Sequence, residues 1–86
     1  VSDTKTELDQ ILRLIESETQ SLANYGGKPF HTIGNASEQA ERIHGMIDVF
    51  SIIRNGTRFS DESDSLRINV TDAIRDAFGR LTGVFR

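Results

Sequence analysis

Between Ser37 and Arg54 the chain reads SEQAERIHGMIDVFSIIR, and its apolar residues fall at Ala40, Ile43, Met46, Ile47, Phe50 and Ile53. This i, i+3, i+4, i+7 spacing lines up on one side of a helix with 3.6 residues per turn. Val49 and Ile52 lie outside the stripe, so MIDVFSII is apolar around more than half of its circumference. A surface helix buried on one side only would not tolerate that. The segment is therefore expected to be a central helix, covered on more than one side.

Upstream, Thr4-Lys5-Thr6-Glu7 has the T-x-x-E form of a capping box and predicts a helix start. Leu8, Ile11, Leu12, Ile15 and Leu22 make a narrow apolar stripe, while Asp9, Arg13, Glu16, Glu18 and Gln20 face water, with Asp9 and Arg13 spaced to pair. Leu14 is off this stripe and reads as an isolated exposed leucine; the alternative is a second contact surface. Gly26-Gly27 ends the helix, because glycine enters the left-handed C-cap conformation without steric cost. The connection KPFHTIG, Lys28 to Gly34, is extended, since Pro29 holds Lys28 away from helical angles. Phe30 and Ile33 are too apolar for a free loop and are expected to tuck against the helix ends. Asn35 followed by Glu38 marks the start of the central helix, and Asn55-Gly56 its end.

The last third supports two readings. Leu66-Arg67-Ile68-Asn69-Val70 alternates with period 2 and could pair with Thr57-Arg58-Phe59 as a hairpin. Leu66, Val70, Ala73, Ala77, Leu81 and Val84 also follow a helical stripe, widened by Ile74, Phe78 and Phe85, and Asp61, Glu62 and Asp64 suit the positive end of a helix dipole. The preferred reading is a helix from about Ser63 to Thr82, with its last turns weakened by Gly79 and Gly83.

At 86 residues, 36% hydrophobic and 27% charged, the chain suits one small domain with one thin core, which oligomerisation often supplements. No apolar run approaches the roughly 20 residues that span a bilayer. Without cysteine there is no disulfide framework and no thiolate metal cage, and the compartment stays open. The net charge of −3 is concentrated before His44, with the second half balanced. The opening VSDTKTE lacks the pattern of a signal peptide, and a start at Val1 reads as a processed chain or an excised domain.

Candidate chemistry is sparse. His44, beside Gly45, resembles the exposed helix histidine of histidine phosphotransfer domains, which accepts a phosphoryl group. Those domains carry a lysine and a glycine in the turn after the histidine, where this chain has Met46, Ile47 and Asp48. His31 and His44 with Glu41 or Asp48 do not make up the three or four ligands of a dedicated zinc site. No serine sits in a nucleophile elbow. Asn35-Ala36-Ser37, Asn55-Gly56-Thr57 and Asn69-Val70-Thr71 fit the glycosylation sequon, but two of them coincide with inferred helix ends, where asparagine caps. Arg54, Arg58, Arg67, Arg75, Arg80 and Arg86 cluster in the second half, yet Asp72 with Arg75 and Asp76 with Arg80 are spaced to pair, which weakens any field for phosphates.

The sequence thus predicts an all-α fold, a bundle of about three antiparallel helices open to completion by oligomerisation. The expected function is a non-enzymatic interaction or regulatory module whose partner surface comprises Val49, Ile52, Ile53, Phe59, Phe78 and Phe85, on and beside the central and last helices. The partner would be a protein or a second copy in a homodimer, with no nucleic acid, membrane, cofactor or metal. The alternative is a phosphotransfer-type signalling domain using His44.

Overall fold

In a computed structural model that describes residues 2–83, the chain forms α1 (Ser2–Ala23), α2 (Ile33–Asn55) and α3 (Asp61–Thr82), with no strand among the described residues. The period of 3.6 therefore prevails over the period of 2 in the last third. Leu66, Val70, Ala73 and Ala77 are all buried, a set that recurs at helical spacing and that a hairpin could not bring to one face.

The caps explain where each helix begins and ends. α1 is already helical at Ser2, so Thr4 lies inside it and does not mark its boundary. α2 starts three residues before the expected Asn35, because Thr32 is extended and its hydroxyl accepts from the Asn35 backbone N–H at 3.1 Å. The Asn35 amide is free to donate to the Phe30 carbonyl instead, at 2.6 Å. Gly56 closes α2 in the left-handed conformation (φ 76°), donating to the Ile52 carbonyl. Ser60 caps α3, accepting from the Ser63 N–H at 3.1 Å, with Asp61, Glu62 and Asp64 in the first turn. Gly79 is accommodated inside α3, and the stop falls at Gly83 (φ 76°).

The helices run up, down and up. Gln39 and Arg42, early in α2, reach Glu18, late in α1; Arg67, early in α3, reaches Asp48, late in α2. Ile15 and Leu22 of α1, Ala36, Ile43, Ile47 and Phe50 of α2, and Val70 and Ala77 of α3 are wholly buried in one shared core.

Polar groups fasten this core at the α1–α2 turn. The Tyr25 hydroxyl donates to the buried Gln39 amide oxygen at 2.7 Å, and Gln39 donates in turn to the Glu18 carbonyl at 3.0 Å. His31 stacks on Tyr25 with ring centroids 4.1 Å apart and accepts from the Gly26 and Gly27 N–H groups through Nδ1. Because His31 takes the place beside Tyr25, Phe30 is left outside, edge-on to the imidazole, and both Phe30 and Ile33 are exposed rather than tucked in. Arg80 does not pair with Asp76; its guanidinium donates to the Ala23 and Tyr25 carbonyls, closing the C-terminal end of α1. No Asp9–Arg13 bridge forms among the described residues, whereas Asp72 and Arg75 do pair, at 3.6 Å.

Candidate functional site

The core stripe of α2 is narrower than its sequence suggests. Ala36, Ala40, Ile43, Ile47 and Phe50 are buried, but the next buried position is Ser51, not Ile53. At about 100° per residue, Ile53 has drifted about 80° from Ile43 around the helix. Ser51 lies on the flank towards α3 and donates to the Thr57 carbonyl at 2.6 Å. That flank is closed further by the ion pair of Asp48 with Arg67, which also donates to the Arg58 carbonyl.

The opposite flank is open. Val49 (53% exposed), Ile52 (48%) and Ile53 (53%) follow one another there with no covering element. The expected cover on more than one side is supplied by α1 and α3, and it stops short of these three residues. Leu14 of α1, 52% exposed, stands across from Val49. Together with Ile11, Arg42, Gly45 and Met46 the two line an open groove of about 520 Å³ between α1 and α2. Leu14 is thus exposed as expected, and it borders this groove together with residues of α2. A wheel drawn for α1 alone cannot reveal this, since its neighbours come from α2.

Phe59, 72% exposed, follows the end of α2 and lies on the same end of the bundle as Ile52 and Ile53, with the Arg58 guanidinium 5.5 Å from its ring centre. Phe78 is at the other end. It is half-buried against the core, about 16 Å along α3 from Arg67, near the Arg80 contacts with the end of α1. Phe85 lies outside the described residues. Of the six expected partner-binding residues, Val49 lines the groove with Leu14 and Gly45, while Ile52, Ile53 and Phe59 are exposed further along, at the end of α2 and beyond it.

Other chemistry does not converge. His44 is half-buried on the α3 side of α2, and Asp48, four residues on, is engaged by Arg67. Among the described residues there is no group of three or more histidines and carboxylates that could hold a metal ion, and no helix long and apolar enough to cross a membrane. Of the second-half arginines, Arg54 pairs with Glu62, Arg67 with Asp48 and Arg75 with Asp72, and Arg80 is bound to carbonyls. A cleft of about 330 Å³ between α1 and α3 presents Glu16, Asp72 and Asp76.

Compared with family models, with curated proteins and with solved structures, the chain has no match.

Proposed function

We propose that the chain is a non-enzymatic interaction module that binds a protein partner, or a second copy of itself, through the open flank of α2 and the adjoining part of α1. The observation that carries this reading is the groove between α1 and α2 bordered by the half-exposed Leu14 and Val49, with Ile52 and Ile53 half-exposed on the next turn of α2. Aliphatics exposed singly are ordinary, whereas a contiguous group of this kind marks an interaction surface.

Burying the exposed half of each would contribute about 1 kcal/mol, or about 4 kcal/mol for the group. That only matches the lower end of the roughly 4–15 kcal/mol lost in rigid-body freedom on association. The four aliphatics are thus the centre of a larger contact that also draws on Phe59 and on charges at the rim.

The test uses Ile52→Asp. A carboxylate in the middle of a dry contact is desolvated without a partner, while in the free protein it stays in water. Association, measured by sedimentation for self-binding and by affinity capture for a second protein, is expected to be lost with helicity unchanged in circular dichroism. Retention of the same association by the variant would overturn the reading.

A further inference from the structure

One face of α2 bears on what could fill this surface. Glu38, Arg42, Gly45, Val49, Ile52 and Gly56 follow at intervals of four, three, four, three and four residues, so they form one stripe along the helix, a seam whose apolar members are Val49 and Ile52. All six are exposed, so no element of the chain's own fold covers the seam. Gly45 stands mid-helix, where only proline is a poorer helix former. Yet a Cβ at Gly45 would meet no atom within 4 Å. The fold itself has no use for the missing side chain, and Gly45 lines the same groove as Leu14 and Val49.

We propose that the occupant is a second copy of this chain, its α2 laid antiparallel to the first about a two-fold axis beside residue 47. This rests on the reading of the Val49 flank as a binding surface and specifies what fills it. In that register Val49 of each copy enters the space over Gly45 of the other, and the pairing is reciprocal, as a two-fold contact requires. Ile52 meets Arg42 of the other copy, whose aliphatic stem covers it while the guanidinium stays at the rim with Glu18. Glu38 falls against Gly56 of the other copy, close to its Arg58.

Charge selects this orientation. Neither Glu38 nor Arg58 has an ion pair among the described residues, and they sit at opposite ends of the seam. Antiparallel packing brings the two unlike charges together twice. A parallel pairing in register would set Glu38 against Glu38, Arg42 against Arg42, and glycine against glycine across a void, which is disfavoured on every count.

The native chain has no cysteine, so disulfide trapping reads the register directly. Gly45→Cys and Val49→Cys proteins, each checked for native helicity, are mixed in equal amounts and oxidised mildly, with Arg75→Cys on the far side of α3 as control. Sedimentation of the unmodified chain is run alongside. The expected result is a dimer whose disulfide forms mainly between position 45 of one copy and position 49 of the other, and little from the control. Gly45→Leu, which fills the space meant for Val49, is expected to weaken the dimer ~10-fold or more, by the overpacking it imposes. A dimer cross-linked mainly through like positions, or one indifferent to Gly45→Leu, overturns the antiparallel seam. A monomer at every concentration overturns the second copy as occupant, while capture of another protein that Ile52→Asp abolishes would leave the binding reading standing.

Discussion

The two flanks of α2 are built from the same helix and differ in how their side chains are satisfied. Towards α3, Asp48 finds Arg67 and Ser51 finds the Thr57 carbonyl. Away from that contact, Gly45 has open space where a Cβ would stand, and Val49, Ile52 and Ile53 stay half-exposed. Polar groups at a buried contact must be paired within the chain, because leaving them unpaired costs the full desolvation penalty. Exposed aliphatics carry no such obligation and cost only their hydration. A fold can therefore keep an open apolar flank available while its polar flank is committed. Stability is expected to reside on one side of α2 and association on the other.

Substitutions can break that division, beginning with the residue between the flanks. Phe50 is fully buried, and Phe50→Ala is expected to cost about 3–5 kcal/mol in denaturant unfolding, most of what a small domain has. An unchanged midpoint would mean that the core runs along a different face. On the committed side, Ser51→Ala removes the donor to the Thr57 carbonyl and should cost about 1 kcal/mol, with association unaffected in sedimentation. On the open side the sign reverses. Gly45→Ala should raise stability by up to about 1 kcal/mol, since helix propensity improves and the new Cβ meets open space. A loss of stability there would show that the groove is filled by the chain's own atoms. The smallest effect on the fold is expected from Ile52→Asp, within about 0.5 kcal/mol by thermal unfolding. Should it unfold the protein, the open flank is core after all.

Much of the fold was legible from period alone. Ala40, Ile43, Ile47 and Phe50 reached the core as their spacing required, and so did Leu66, Val70, Ala73 and Ala77 once helix was preferred over hairpin. Features that depend on competition between equals were harder to read. Thr32 and Asn35 can each cap a helix, and the choice fell to Thr32 because the Asn35 amide had a better use at the Phe30 carbonyl. Phe30 lost its expected place to His31, whose ring stacks on Tyr25 while its nitrogen also serves two glycine N–H groups. For the candidate surface, a helical wheel assigns a residue to a face but not to an end of the bundle. That is why Phe78, grouped with Ile52 in the sequence, stands far from it. The groove beside Leu14 is hidden from the sequence for the complementary reason, since Arg42, Gly45, Met46 and Val49 in its lining belong to another helix.

The Gln39 amide has a reach beyond its own end of the molecule. It is gripped at both ends, by the Tyr25 hydroxyl and the Glu18 carbonyl, so α1 cannot slide along α2 by one turn, about 5.4 Å, without stranding a buried polar group. The amide works as a pin through two sliding rods. Leu14 and Val49 lie further along the same rods, and the pin is expected to contribute to their alignment together with the core. A Gln39→Leu protein could thus keep its helices while losing the relative position of these two side chains, and an interface would be disturbed from several turns away by a residue that never touches it.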